Sequence, residues 1–284
     1  MSQLNNFNYA IMKLAIDLGG TNIRIAQVKN QTILNKKSIP CLSAGTEEEV
    51  LSQIYKLIDN MLDSKVTGIG IGVPSVVDHQ KGIVYNVANI PSWKEVHLKH
   101  ILQSKYQLPV SVNNDANCFA LGEKLYGQGK LFSNLIGITL GTGVGAGIII
   151  NNSLYCGENT GAGEIGSLSY LNKDFEYYCS SNFFTDFHST TGKEAYDKAL
   201  AGDATAIDIW NEFGGHLGNL VKAILFTYDP TAVIFGGSIS SAFPFFIQSL
   251  KKNILDFPYE KTLKSVHLLC TENPDISILG AAAL

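Results

Sequence analysis

The chain has 284 residues, 21 Lys and Arg against 25 Asp and Glu for a formal charge of −4, with 45% of residues hydrophobic and 16% charged. That length holds about two domains at ~150 residues each, and the composition excludes a disordered chain. The weak acidic balance excludes a basic footprint for nucleic acid or an anionic membrane surface, so any phosphate must be held by local backbone N–H groups and a metal ion.

The first eleven residues read as a frayed polar lead-in, with no cation before Lys13 and no long apolar stretch, so no secretory signal is expected. Lys13–Leu18 reads as a strand, Gly19-Gly20-Thr21 as a turn and Ile23–Val28 as the returning strand. Thr46 followed by Glu49 makes a capping box, and Val50, Leu51, Ile54, Leu57, Ile58, Met61 and Leu62 recur behind it at helical spacing. Val66–Val73 is a buried strand closed by Pro74. A helix over Val96–Tyr106 leads through Pro109 into a short strand, Val110–Val112, which empties into Asn113-Asn114-Asp115 ahead of a helix over Ala116–Tyr126.

The pattern then restarts. Leu135–Leu140 is a strand, Gly141-Thr142-Gly143 a turn and Val144–Ile150 the returning strand. Leu135–Ile150 is the most apolar run, but it is shorter than the ~20 residues of a membrane span and is broken by five glycines. A long helix over Ala204–Tyr228 precedes Asp229-Pro230, a buried strand Ala232–Phe235 and the turn Gly236-Gly237-Ser238. A helix over Phe245–Leu255, a strand over Ser265–Cys270 and a C-terminal helix over Ile276–Leu284 complete the chain. Sliding the sequence by 122 residues lays Ile138-Thr139-Leu140-Gly141 on Ile16-Asp17-Leu18-Gly19, so two related α/β domains are expected, with a hinge near Asp115–Gly127.

Asp17-Leu18-Gly19-Gly20-Thr21 sets a carboxylate at a strand end before two glycines and a hydroxyl, so backbone N–H groups can approach a phosphate while the carboxylate faces a metal. The alternative is a hairpin turn that uses glycine only for positive φ. Gly141-Thr142-Gly143-Val144-Gly145 is a second such turn, and two of them suit a triphosphate held from both sides. A dinucleotide fingerprint fails because Ile148-Ile149-Ile150 continues as strand, and a Walker loop fails because neither Gly-Lys pair is followed by Ser or Thr. Asp115 reads either as an N-cap or as a carboxylate placed to take a proton from a hydroxyl. Glu164 reads either as a loop residue or as a polar residue framed by glycines for a site. His97 and His100 read as surface residues, and Phe183, Phe184 and Phe187 as core. Cys41, Cys118, Cys156, Cys179 and Cys270 form no CxxC pair, which points to reduced thiols in a cytoplasmic protein.

These stretches together resemble the ROK family (repressors, open reading frames and sugar kinases) of the actin-like, ribonuclease-H-like ATPase superfamily. The resemblance is carried by Ala15–Asn22, Gly70-Ile71-Gly72-Val73-Pro74 with Asp78, Asn89-Ile90-Pro91-Ser92-Trp93, and Asn114-Asp115-Ala116-Asn117 with Glu123. Leu140–Gly145, Gly161–Gly166, Gly236-Gly237 and Gly280-Ala281 follow in the family's order over nearly the whole chain. It implies two actin-like ATPase domains flanking a cleft. The first is an α/β domain over residues 1–116, joined by the C-terminal helix 276–284, and the second covers 117–275. It implies an ATP- and Mg²⁺-dependent kinase acting on the primary hydroxyl of a hexose, glucose or N-acetylhexosamine in type. Its partners would be sugar and ATP, with no nucleic acid or membrane, and it would be a homodimer.

By that resemblance Asp17 organises Mg²⁺, Gly19, Gly20 and Thr21 form the first phosphate loop, and Thr142, Gly143 and Gly145 the second. Gly236 and Gly237 lie near the adenosine. Asn114 and Asp115 bind sugar, Asp115 being the catalytic base, and Asn89, Glu164 and Glu176 line the same pocket. Family members commonly carry a zinc-ligating His after Glu-Ile-Gly; here the residue is Ser167. Only Phe175–Ser180 remains of the cysteine-rich zinc segment, with Cys179 alone, so no zinc is expected. A sugar-sensing regulator is the alternative, for which the residues ahead of Asp17 are too few to hold a helix-turn-helix; an actin-like ATPase is a third.

Overall fold

The structure, a computed structural model, describes residues 12–159 and 161–284. The expected N-terminal lead-in lies outside the described residues. The chain divides into two units, one running to Asp115 and taking in Ala281–Leu284, the other covering Ala116–Gly280.

In the first unit, β1 (Met12–Leu18) turns at Gly19–Thr21 into antiparallel β2 (Asn22–Lys29), which pairs with β3 (Thr32–Pro40). Helix α1 (Glu47–Asp59) begins at the expected capping box and buries Val50, Leu51, Ile54, Leu57 and Ile58. β4 (Val66–Val73) then joins β1 in parallel. It is buried nearly throughout, as befits a strand covered on both faces. At Gly70 a Cβ would lie 1.8 Å from the Ala281 carbonyl oxygen, so the C-terminal backbone rests directly on this strand. A small ribbon of β5 (Val76–Asp78), β6 (Ile83–Tyr85) and β7 (Glu95–Val96) follows. Because Val96 pairs with Val84, α2 (Leu98–Tyr106) starts two residues later than its apolar spacing predicts. β8 (Val110–Asn114) completes the sheet order β3-β2-β1-β4-β8, and α3 (Asp115–Tyr126) leaves its end.

The second unit repeats this arrangement. β9 (Leu135–Leu140), β10 (Val144–Ile150) and β11 (Ser153–Tyr155) form the antiparallel run. A short ribbon, β12 (Ser169–Tyr170) with β13 (Lys173–Asp174), leads into α4 (Phe175–Cys179), a turn over Phe183–Phe187 and α5 (Gly192–Leu200). Helix α6 (Ala204–Tyr228), capped by Asp203 on Ala206 N at 2.8 Å, buries Trp210, Phe213, Leu217 and Val221. β14 (Ala232–Gly236) adds parallel to β9, and α7 (Phe243–Asn253) packs on α6. There, a Cβ at Gly214 would lie 2.0 Å from Ser249 Oγ. After α8 (Glu260–Ser265), β15 (His267–Cys270) and α9 (Ile276–Ala283), the sheet order is β11-β10-β9-β14-β15. It is the order of the first sheet, strand for strand, so the sequence repeat is a repeat of topology.

Candidate active site

In the first sheet, register aligns Asp17 of β1 with Gly72 of β4, and Gly72 with Asn113 of β8. With strands ~4.8 Å apart, Asp17 and Asn113 stand in one row about 10 Å apart, at the C-terminal edge where open α/β sheets bind ligands. Asn114 and Asp115 continue past that row. Asn114 Nδ2 donates to the Ser75 carbonyl at 3.0 Å, and its N–H to Asn113 Oδ1 at 2.8 Å. Asp115 is the first residue of α3, where a carboxylate suits the positive end of the helix.

Asp17 is held by Arg24, directly opposite it on β2: Nε donates to Oδ2 at 2.8 Å and Nη2 donates to the same oxygen. Oδ1 therefore stands outside the Arg24 fork. A carboxylate oxygen is the hard donor that Mg²⁺ takes, and this donor fits it. Asn89 closes over the turn, with its Cβ 2.5 Å from where a Gly20 side chain would begin. Its loop is pinned from below by buried Ile90 and Trp93. Thr21 is exposed at the tip. Asp17, Gly19, Gly20, Thr21, Asn89, Asn114 and Asp115 thus gather at one edge of one sheet.

In the second unit, Thr139 of β9 aligns with Gly236 of β14, so the Gly141–Gly143 and Gly236-Gly237 turns share an edge. Thr142 is exposed at the tip. Glu176 backs this turn. Its Oε2 accepts from Val144 N at 3.0 Å, and a Cβ on Gly143 would lie 2.5 Å from that oxygen. Glu164 stands between Gly163 and Gly166. Gly163, at φ +92°, lies over the Ala146 carbonyl, and Gly166 lies over that of Val144. The two glycines let the loop lie flat on β10 and turn Glu164 outward beside Glu176. Desolvation, then the Glu176 charge, hold the Glu164 carboxyl above its ordinary value although the side chain still reaches solvent.

With one exception, the glycines do not serve the turns as positive-φ residues. Of those expected to line the site, only Gly237 has positive φ, and a Cβ there would strike Leu140 O at 2.2 Å. Gly145 makes room for Thr139 and Ala116, and Gly236 for the Phe119 ring. At Gly141, by contrast, a Cβ would meet nothing nearer than Ser238 Oγ at 3.7 Å. The space beside Gly141 is thus open to a phosphate tail, while its N–H donates to Gly143 O at 3.0 Å and its carbonyl accepts from Ser181 N at 2.9 Å.

Two residues of this region gave little sign in the sequence. Arg24 is one of two cations in β2, and its place opposite Asp17 is visible only once the hairpin register is known. Tyr170 is the other. Its ring stacks on Phe175 at 4.4 Å and meets Tyr178 edge-on at 5.3 Å, on either side of Glu176 in α4. Its hydroxyl lies 3.1 Å from His216 Nδ1 and accepts from Asn219 Nδ2 at 2.9 Å, which ties α4 to α6. Burial outweighs the nearby Glu212 charge and keeps the His216 pKa low, favouring the neutral ring whose Nδ1 accepts from Tyr170. Cys179 is fully buried and its thiol pKa is pushed up by desolvation, so it serves as core. Ser167 is exposed, and among the described residues no three His, Cys, Asp or Glu gather in a set that could hold a metal ion.

Comparison with known proteins matches residues 13–284 to the ROK family. A glucokinase of Halalkalibacterium halodurans is 26% identical over 95% of this chain and 94% of its own length. The xylose repressor of Bacillus subtilis is 31% identical over 79% of this chain, which spans 62% of the repressor. The crystal structure of a ROK family glucokinase from Streptomyces griseus in complex with glucose and AMPPNP superposes with a TM-score of 0.82 at 25% identity, covering 96% of this chain and 98% of that one. The two units have the actin-like ATPase fold of ROK sugar kinases.

Proposed function

Because this chain belongs to the ROK family, we propose that it is a sugar kinase, transferring the γ-phosphoryl group of ATP to the primary hydroxyl of a hexose of the glucose or N-acetylhexosamine type. The observation that carries this reading is Asp115 beside the anchored Asn114 at the β8–α3 junction, because a general base is what a sugar-binding sensor does not need.

Asn114, Asn89, Glu164 and Glu176 hold the sugar hydroxyls. Asp115 accepts the proton of the primary hydroxyl as its oxygen attacks the γ-phosphorus in line. The new O–P bond forms as the bond to the β,γ-bridging oxygen breaks, and ADP leaves with that electron pair. The loops Gly19-Gly20-Thr21 and Thr142-Gly143-Val144-Gly145 meet the negative charge spread over the transferring group, the Gly19 N–H itself donating to Asn22 O at 2.8 Å to hold the first turn in shape. Gly236 and Gly237 flank the adenosine. Asp17 is the residue that would hold Mg²⁺, which when bound supplies charge neutralisation on the polyphosphate.

The test is ADP release with and without sugar. Asp115→Asn is expected to fold and bind sugar while kcat falls about 10²–10⁴-fold; near-normal kcat in that variant would remove Asp115 from its role. The repressor relative supports a second reading, a sugar sensor, which would bind hexose without any sugar-dependent ADP release.

A further inference from the structure

β15 is one of the two outer strands of the second sheet, and a recess of about 420 Å³ runs along it. Ile254 and Leu255 beyond α7, with Leu263 in α8 and Val266 after it, supply apolar walls. His267, Leu268 and Leu269 of β15 line the remaining side. Successive strand residues point to opposite faces, so a recess touching all three embraces the strand's edge.

The backbone at that edge is open. His267 N donates to the Thr231 carbonyl at 2.9 Å, and Thr271 N to that of Phe235 at 2.8 Å. In a parallel pair, residues bonded to the neighbour alternate with residues that face away, so Leu268 and Cys270 turn their N–H and C=O outward. Gln128 Nε2 donates to the Cys270 carbonyl at 2.7 Å and closes that end. Leu268 is left to offer one donor and one acceptor to the recess. Folded proteins guard such edges with Lys, with Pro or by brevity. β3, at an edge of the first sheet, carries Lys36 and Lys37, and β11 has 3 residues, whereas β15 carries neither Lys nor Pro.

Lys251 and His267 are the ionisable residues on the lining, which includes no described acid. Lys222 and Lys264 pair with Asp256 and Glu260, whereas Lys251 enters no ion pair among the described residues. We propose that β15 accepts a further strand here: an extended peptide of another protein, with apolar side chains for the recess and an acidic residue for Lys251. Main-chain bonds to Leu268 hold the peptide, and the recess selects its side chains. A second copy of this chain, pairing edge to edge, would bring the same basic lining against itself. The recess begins at the first residues of β15, and the parallel β14 carries Gly236-Gly237 beyond its other end, so an occupant leaves that turn clear.

Fluorescence anisotropy of the full chain with labelled peptides tests the proposal. The probes are Asp-Val-Ile-Val-Asp and Asp-Leu-Phe-Leu-Asp, the same two with Lys in place of Asp, and the acidic pair N-methylated at the central amides. At least one acidic peptide is expected to saturate the native chain, with its basic and N-methylated forms about tenfold weaker. Lys251→Glu should reverse the preference between acidic and basic forms. Leu268→Pro removes the outward N–H and leaves the ladder to β14 intact, and should lose about fivefold in affinity. Thermal melts report the folding of both variants; should Leu268→Pro unfold, the N-methylated peptides on the native chain still read the main-chain bonds. Equal binding of an N-methylated peptide would give the recess to an apolar ligand held by side chains alone and overturn the proposal. Equal binding of acidic and basic forms, or no saturable binding of either acidic peptide, would also overturn it. So would a dimer on light scattering that Leu268→Pro dissolves, which would give the edge to a second copy.

Discussion

The two glycine hairpins occupy equivalent places in sheets of the same strand order, yet they are built for different work. Across the first, Asp17 faces Arg24; across the second, the matching pair is Thr139 and Gly145. Gly145 has no side chain because Thr139 Oγ1 and Ala116 Cβ would lie 2.8 and 2.9 Å from it. The second hairpin thus seats the first turn of α3, while the first carries a charge at its edge. Its acidic group is supplied from outside the hairpin, by Glu176 on Val144 N. Duplication fixes the backbone, and the placement of charge then divides the labour.

The largest effect separates the halves. Asp17→Asn is expected to lower kcat on the order of 10²–10³-fold, as loss of a preorganised electrostatic group does, whereas Thr139→Ala changes kcat less than threefold. Steady-state kinetics on both, with thermal melts to confirm folding, would break the comparison if the two losses were equal.

Next come the glycines. Gly145→Ala forces a methyl against the start of α3 and should cost about 1–3 kcal/mol in denaturant titrations. Gly141→Ala has room and should leave stability within about 0.5 kcal/mol while raising KM for ATP. Equal destabilisation by the two would mean that the space beside Gly141 is spoken for by the fold.

Glu164 gives a pH signature. Its folded pKa lies above the ordinary 4.5, so its contribution to stability is present below pH 4.5 and is lost as pH rises through the folded value. At pH 7 the ionised group is a cost, and Glu164→Gln should raise the apo Tm there, with the gain vanishing toward pH 4. The same substitution should weaken sugar binding at pH 7 and flatten the rise of KM on acidification that is expected of the native chain. An unchanged Tm difference across that range would deny the carboxyl its raised pKa.

The smallest expected effect is Tyr170→Phe, which keeps the ring stack and removes the hydroxyl shared with His216 and Asn219. A loss of about 1 kcal/mol is expected, with KM for sugar rising through Glu176 and kcat nearly unchanged. An equal fall of kcat would place Tyr170 closer to the chemistry than its contacts do.

Much of this organisation was legible in the sequence. The capping box at Thr46, the long helix over Ala204–Tyr228 and the paired hairpins follow from patterns that solvent exposure imposes locally. β3 was missed because it is an edge strand, exposed along most of its length and guarded by Lys36 and Lys37, so it has no apolar alternation to read. The aromatic cluster around α4 was half legible: Phe183 and Phe184 are core as expected, whereas Phe187 is exposed at 45%. The glycine turns were found, but for a reason that sequence could not supply. What they make room for, Asn89, Glu176 and Ala116, lies tens of residues away along the chain.

The central claim is most directly tested by following ADP in a coupled assay on the native chain, with ATP and Mg²⁺ present and glucose or N-acetylhexosamines added in turn. Sustained ADP release that begins only when a hexose is added, with phosphate recovered on its primary hydroxyl, is the predicted result. ATP hydrolysis at the same rate without sugar, or tight hexose binding with no ADP formed, would contradict it.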